Sequence, residues 1–408
     1  MTLNYQELDD FVSRHAAIRR RQKLQPAGGP GDKIFPPTYP GDGKNDPPRH
    51  VFEVRRVPGQ KDGIVCVLID SVQSQANRME EALVSLIYDE DFKIPRVTVD
   101  FSDTGLNVAD RISSLDAPHR IYDAILRDSL LDDVPFLKSP LGEALIKAKP
   151  AEAAALLSHA PTALLFGAWH SQGQGGGLGA KFQRSLTSEI IGINVPAEEM
   201  VNRQTGEFQG RSLGKRTGSR MDPLGIRKGV EIYKTADGWV ETAQKGAKKS
   251  KPSEANHGNI APSIQPLGVT CDYAEQVVLL STAGLRRLRF GTPEQTRAGR
   301  SLLASLGLVA FLAQDRNGFS LRSRCDLVPD GGLQALELVH HDGMVKQIDL
   351  DLDQAIALYD EAADKLRTTG VGYEPDPVML KPQDKLISII RQSEEMALKD
   401  LSDEAEDE

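Results

Sequence analysis

Apolar residues along this chain fall in short runs separated by long polar stretches. The clearest run is 64–69, Ile-Val-Cys-Val-Leu-Ile, with no polar break. A continuous run of that length predicts a strand buried on both faces. Asp70 and Ser71 end it, and from Gln75 onward Ala76, Met79, Leu83 and Leu86 recur at helical spacing. Val97, Val99 and Phe101 then alternate, which predicts a second strand over 96–101. Strand, polar loop, helix and strand in that order open either a ferredoxin-like (RRM) fold or a doubly wound sheet.

The remaining pattern is less regular. Residues 6–23 read as a helix ending in Arg19-Arg20-Arg21 and Lys23. Residues 25–48 contain Gly28-Gly29-Pro30-Gly31, Pro36-Pro37, Pro40 and Pro47-Pro48, so an extended arm is expected there. Residues 102–160 read as a mixed, mainly helical insertion and 162–169 as a third strand. Residues 196–270 are polar and basic, a long excursion from the core, part of which is expected to order only on binding. Apolar strand character returns at 277–280. Pro293 suits the first residue of a helix reaching about residue 314. Segments 319–327 and 335–339 read as strands, and 353–366 and 380–398 as helices. No internal repeat is visible.

Composition narrows the class. The chain has 408 residues, 39% hydrophobic and 26% charged, which suits a globular protein with a sizeable core. Aromatics at 5% make that core aliphatic. No apolar run approaches the 18 or so residues of a membrane helix, and the start lacks the pattern of a secretory signal. Cys66, Cys271 and Cys325 have no zinc spacing and read as buried thiols. A cytoplasmic protein away from membranes is expected.

Net charge is −9, which argues against a polyanionic partner until its distribution is seen. Between residues 203 and 251 stand twelve Lys/Arg against five Asp/Glu, a local +7 that leaves −16 elsewhere. The last six residues alone hold five carboxylates. Such a chain can present a basic groove on an acidic body.

Three constellations carry candidate chemistry. Asp70-Ser71-Val72-Gln73-Ser74-Gln75-Ala76-Asn77-Arg78 follows a strand and opens a helix, where unpaired N–H groups attract phosphate. Ser71, Gln73, Ser74, Gln75, Asn77 and Arg78 are candidate ligands, although one serine acting as a cap would explain part of the pattern. Trp169-His170-Ser171-Gln172 leads into a glycine-rich stretch to Gly179, followed by Lys181, Gln183 and Arg184. Glycines let backbone amides approach an anion closely. Gly175, Gly177 and Ala180 fit a loose dinucleotide pattern, a weak signal, and a P-loop is absent. A flexible linker is the plain alternative. The third is the 211–220 run with Lys215, Arg216 and Arg220 among Ser, Thr and Gly, suited to phosphate contact, although charge runs are commonly just solvated. The His119-Arg120 and His340-His341 pairs lack metal-site spacing, and no nucleophile motif appears. No cofactor is expected.

Several of these segments resemble a known family. Pro36-Pro37-Thr38-Tyr39-Pro40, the 70–80 segment, His119-Arg120-Ile121-Tyr122-Asp123-Ala124, Phe166-Gly167-Ala168-Trp169-His170-Ser171, the 181–190 segment and Leu285-Arg286-Arg287-Leu288-Arg289-Phe290 are similar to the Csb-type RAMP proteins of type I-G (formerly I-U) CRISPR systems. The resemblance runs from about residue 20 to 330. It implies an α+β fold: an RRM-like (ferredoxin-like) palm with large insertions, a basic thumb-like excursion, and C-terminal helices. On that basis three parts are expected. They are a helix and Pro/Gly-rich arm at 1–48, a palm at 49–330 with insertions at 102–160 and about 196–270, and a C-terminal part with an acidic tail at 331–408.

The resemblance also implies a role. Repeated copies would line one CRISPR RNA within a Cascade complex, holding its backbone and leaving the bases to pair with target DNA. Partners would be the guide, target DNA through pairing, other copies of the chain, and other Cascade subunits. Ser71, Gln73, Ser74, Gln75, Asn77, Arg78, His119, Arg120, His170, Ser171, Gln172, Lys181, Gln183, Arg184, Lys215, Arg216 and Arg220 would be the RNA contacts. Related RAMP subunits cut RNA with a loop aspartate, but no such residue is assigned here, and a non-catalytic subunit is expected. The rival readings are a metal-dependent ribonuclease and a nucleotide-binding enzyme built on the glycine-rich loop.

Overall fold

The computed structural model describes residues 3–41, 47–56, 62–170, 181–202, 205–220, 223–227, 229–235, 238–255, 257 and 260–407. Helix α1 (Tyr5–Arg14) is capped by Asn4, whose side chain accepts from the Glu7 N–H while Glu7 accepts from the Asn4 N–H. The helix stops at Arg14. The next element is strand β1 (Ala17–Pro26), not the continuation of a helix to residue 23. Alternation decides this outcome: Ile18, Arg20, Gln22 and Leu24 are buried, while Arg21 and Lys23 are exposed. Of the cations that read as a helix terminus, Arg19, Arg21 and Lys23 are the outward side of a strand, while Arg20 points inward.

β1 lies inside a nine-stranded sheet with β2 (Phe52–Arg55), β3 (Ile64–Asp70), β4 (Leu186–Ile193), β5 (Tyr273–Ser281), β6 (Phe319–Arg322), β7 (Cys325–Pro329), β8 (Leu336–Val339) and β9 (Val345–Ile348). The order is β6-β7-β1-β5-β4-β3-β2, with β8 also pairing β1 and β9 pairing β8. Helix α2 (Val72–Glu90) follows β3, and helix α3 (Pro293–Asn317) follows β5. Along the chain, β1, α2, β4, β5, α3 and β7 therefore form a β-α-β-β-α-β unit. Its strands lie in the order β7-β1-β5-β4, all antiparallel, which is the ferredoxin-like arrangement. The fold is α+β and RRM-like, with insertions.

The insertions account for where the pattern misled. The expected strand at 96–101 exists as Val97–Asp100, but it leaves the main sheet. It pairs in parallel with Val378–Pro382 inside a separate five-stranded sheet. The expected strand at 162–169 is a helix, Pro161–Phe166, with only Ala168–Trp169 extended. All six helical residues are buried, and a short run with Thr162 as its one polar position carries no period to separate helix from strand. The 319–327 strand is the β6–β7 hairpin, and the 380–398 helix begins only at Asp384. The basic excursion is not irregular. Ala197–Val201 pairs with Phe208–Ser212, Arg216–Arg220 with Ile260–Gln265, and Ile232–Thr235 lies between Gly238–Val240 and Lys248–Ser250.

α3 is the core of the molecule. Almost every residue from Ala298 to Gln314 is buried, so this helix is enclosed on all sides. Helix α4 (Leu352–Thr368) packs along it, and α2 packs on it from the other side. Between these helices and the sheet lies a chain of buried polar contacts. Asp70, fully buried at the end of β3, accepts from Gln75 (2.7 Å), Arg78 (2.9 Å) and Arg322 (2.8 Å). Gln75 Oε1 accepts from Ser188 Oγ (2.7 Å), Gln276 Nε2 (3.0 Å) and Gln314 Nε2 (3.2 Å). Gln276 accepts in turn from Arg20, which forms a bidentate pair with Asp315 at 2.5 and 2.6 Å. Burial pushes the Asp315 carboxyl up against the opposing pull of Arg20.

Leaving one member of a buried ion pair without its partner costs about 3–5 kcal/mol. Asp70→Ala strands Arg78 and Arg322 together, so we expect a loss in that range by urea denaturation. An unchanged unfolding midpoint would show that the network does not hold the palm.

Candidate nucleic-acid interface

The network settles the place of several residues chosen from the sequence. Gln75 is completely buried, and both of its polar atoms are engaged within the palm. Arg78 is bound to Asp70 and, at 2.6 Å, to the Leu321 carbonyl. These two are palm scaffold, and Arg78→Ala, instead of sparing the fold as a surface substitution would, breaks part of the network. Ser71 is the N-cap of α2, its hydroxyl accepting from the Ser74 N–H at 3.2 Å and donating to Ser74 Oγ. The cap that the sequence offered as an alternative is therefore present. Gln73 and Asn77, in the first turns of the same helix, are exposed.

Arg120 is also internal. It forms a bidentate pair with Glu80 of α2, 2.7 Å on each arm, and donates to the Gly167 carbonyl at 3.1 Å. Burial pushes the Glu80 carboxyl up to about 7 although Arg120 pulls it down. Its neighbour His119 is exposed. Gly167 has φ +81°, and a Cβ there would sit 3.0 Å from the Phe182 carbonyl oxygen and 3.1 Å from Arg184 Cγ. A glycine is needed for this close approach. The result is a tight junction that brings the 167–170 segment against 181–184.

At this junction the sequence candidates converge. Lys181, Gln183 and Arg184 are all exposed, and the Lys181 ammonium lies 5.7 Å from the ring centroid of Trp169, itself 63% exposed. Gln183 accepts from Arg287 at 2.8 Å, which adds a cation the sequence reading had not placed here. Burial and the nearby Arg120 push the Arg184 guanidinium down, and Glu80 pulls the other way. His170 is buried beside Tyr122, with rings 5.3 Å apart and its Nδ1 without a hydrogen-bond partner. Ser171, Gln172 and the glycine-rich stretch to residue 180 lie outside the described residues.

Lys215 and Arg216 belong to the excursion, both exposed. The Lys215 carbonyl accepts from Lys33 Nζ at 2.6 Å, so the Pro/Gly arm brings another cation to this edge. Arg220 ends the Arg216–Arg220 strand. His50, buried and unremarked in the sequence, ties arm to excursion by accepting from the Gly268 N–H at 2.8 Å. The open face of the main sheet carries Arg19, Arg21 and Lys23, which alternation in β1 would have revealed. Each already has a neighbour. Arg19 pairs with Glu337, Arg21 with Glu275, and Lys23 lies over the Tyr273 ring.

The described residues form an RRM-like palm with exposed cations on its sheet, at strand-end loops and on a β-rich excursion. Residues 18–197 match the family model described as CRISPR-associated protein GSU0053, so over that segment the chain is similar to a CRISPR-associated family. The match covers β1 to β4, with Asp70, Gln75, Arg78 and the Arg120–Glu80 pair, while Gln276, Gln314, Asp315 and Arg322 of the network lie beyond it. No curated protein matches the chain. No helix among the described residues is long and apolar enough to cross a membrane.

Three histidines scattered in sequence also meet. His15 at the end of α1 faces the β8–β9 turn, with its ring centroid 4.1 Å from that of His340 and its Nδ1 3.4 Å from Nδ1 of His341. No group of three metal-ligand side chains among the described residues is arranged to hold an ion. Burial and the two neighbouring rings push His15 below its ordinary value. A base with a lowered folded pKa contributes stability above its unfolded value, about 6.5, and loses it as pH falls. Tm should therefore drop as pH falls below about 6.5, and His15→Gln should flatten that dependence. An identical pH profile in the variant would remove His15 as its cause.

Proposed function

We propose that this chain is a non-catalytic CRISPR RNA-binding backbone subunit of the Csb-type RAMP kind. In this reading repeated copies grip one guide along its phosphates within a Cascade complex, beside other Cascade subunits. The guide's bases stay free to pair with target DNA. The observation that carries the reading is the junction of Lys181, Gln183, Arg184 and Arg287 beside Trp169, built on an RRM-like palm next to a basic excursion. Cations, amides and one exposed aromatic suit a sequence-neutral backbone grip. The similarity of residues 18–197 to a CRISPR-associated family supplies the context.

The ribonuclease alternative draws little support from Asp70. That carboxylate is fully buried between two guanidiniums and a glutamine, and a cutting group must reach the scissile phosphate.

The protein purified from cells should carry small RNA of uniform length. Single-stranded RNA binding should weaken with salt at a slope near −0.7 per neutralised phosphate. Lys215→Ala with Arg216→Ala should flatten that slope by roughly 1.4, as should Lys181→Ala with Arg184→Ala. Salt-independent binding, or none even with partner subunits present, would sink the proposal. Periodic magnesium-dependent cleavage of complementary RNA would favour the ribonuclease instead.

A further inference from the structure

The two legs of the basic excursion and the Pro/Gly arm meet at one glycine. Gly268 lies on the returning leg, just after the strand Ile260–Gln265, and its carbonyl accepts from Ser212 Oγ on the outgoing leg. A Cβ at Gly214 would stand 1.9 Å from that same oxygen, so the two legs touch backbone to backbone. Gly268 has φ +86°, and a Cβ on it would meet Lys33 Cδ at 2.7 Å and the Phe35 ring at 3.0 Å, a place only glycine fills. Beside it, Ile34 and Val269 exchange both backbone hydrogen bonds at 2.9 Å, and Lys33 Nζ reaches the Lys215 carbonyl. The arm is fixed to the palm in turn. The Phe35 N–H donates to the Arg324 carbonyl in the β6–β7 turn, and the Arg324 guanidinium lies over the Phe35 ring.

His50 closes this knot with both ring nitrogens. Nε2 accepts from the Gly268 N–H at 2.8 Å, and Nδ1 lies 3.0 Å from the Pro37 carbonyl of the arm. An amide can only donate and a carbonyl can only accept, so the ring must be neutral with its proton on Nδ1. It is 3% exposed, so bulk water does not substitute for either partner. A second proton would sit on Nε2 and face the Gly268 N–H donor to donor. The charges on the surrounding segments offer that proton no partner. Arg322 on β6 is bonded to Asp70, Asp32 accepts from the Lys33 N–H, and Glu53 is paired with Arg55. Arg49, Lys33 and Arg211 are further cations, and 265–270 of the returning leg carries no titratable side chain. Burial, helped by Arg322 and opposed by the Pro37 carbonyl, holds His50 below its ordinary value.

We propose that His50 is the positioning residue of the excursion: as a neutral ring it locks the arm to the returning leg and sets where Lys215 and Arg216 stand for a nucleic-acid strand, and a proton on Nε2 opens the lock. This rests on the reading that the excursion meets RNA. Arg216 pairs with Gln265, three residues before Gly268, so a shift at the knot passes directly into the strand that carries the cation. Cations held in place engage a strand with less ordering cost than cations on a loose leg. A base kept neutral in the folded state stabilises it above the unfolded value of about 6.5, and that contribution is lost as pH falls.

The test compares the full chain with His50→Phe, which keeps the ring's bulk and loses both hydrogen bonds, and with His50→Gln, which can accept and donate but does not titrate. Hydrogen exchange without RNA reads the lock. In His50→Phe the Gly268 and Val269 amides should exchange about tenfold faster at pH 7.5, the worth of about one buried hydrogen bond, and His50→Gln should stay near wild type. On going to pH 5.5, after correction for intrinsic rates, wild type should loosen and His50→Gln should not. Binding of a fluorescent single-stranded RNA across a salt series reads the purpose. His50→Phe should flatten the salt slope by roughly 1.4, as Lys215→Ala with Arg216→Ala does, and the three substitutions together should flatten it no further. A residue that only supports the fold would lower Tm and leave that slope unchanged. Unchanged exchange in His50→Phe would overturn the lock, and faster exchange with a wild-type salt slope would overturn its positioning role. Faster exchange with no RNA binding even by wild type would keep the lock and overturn the RNA-binding reading on which its purpose rests.

Discussion

One buried polar chain holds the palm together. It runs from Arg322 through Asp70, Gln75 and Gln276 to Arg20 and Asp315, and so joins β6, β3, α2, β5, β1 and α3. Apolar packing alone would let the two helices settle on the sheet in several registers. Charged and amide groups in a dry interior do not tolerate that freedom, because each misplaced partner leaves an unpaired group behind. Gln75 Oε1 receives three donors from three different elements, so sliding any one of them breaks a contact. We regard the network as the device that fixes where α2 and α3 lie, and thus where the loops at their ends point.

The same constraint changes the meaning of the most suggestive stretch of sequence. Asp70 to Arg78 reads as a polar loop offering itself to phosphate, yet its middle is spent on the interior. Ser71 caps the helix, while Asp70, Gln75 and Arg78 build the network. Arg120 is spent likewise on Glu80. These residues act on a ligand only by positioning others. Through the Arg120 bond to the Gly167 carbonyl, a charge pair on α2 sets the place where Lys181 and Arg184 emerge.

What could be read from the sequence divides along physical lines. The 64–69 run and the helix after it were legible because their periods were long and uninterrupted. Pro293 marked the start of α3, where Thr292 and Gln295 form a capping box. β1 was misread because Arg19, Arg20 and Arg21 are consecutive and look like one charged end. Only Asp315, distant in sequence, explains why the middle arginine is buried. The Val97–Asp100 strand was found but put in the wrong sheet, since strand pairing is a long-range property with no local signature. At the candidate interface, residue types on the 181–184 segment were legible, whereas Arg287 and Lys33 reached their places through tertiary contacts.

If the chain grips a nucleic acid as proposed, the open face of the main sheet gives a physical reason for loops to do so and not the palm's strands. Arg19, Arg21, Lys23 and Arg55 stand on that face, but so do Glu337, Glu275, Glu189 and Glu53, most of them paired directly with those cations. The face is therefore close to neutral, and an exposed pair of this kind contributes little to stability. A phosphate arriving there meets a carboxylate beside every guanidinium it approaches and gains no net field. Ordinary RRM sheets overcome this with stacked aromatics, but Tyr273 is already occupied by Lys23. Lys181 and Arg184 at the strand-end junction and Lys215 and Arg216 in the excursion are exposed cations that lie off this sheet.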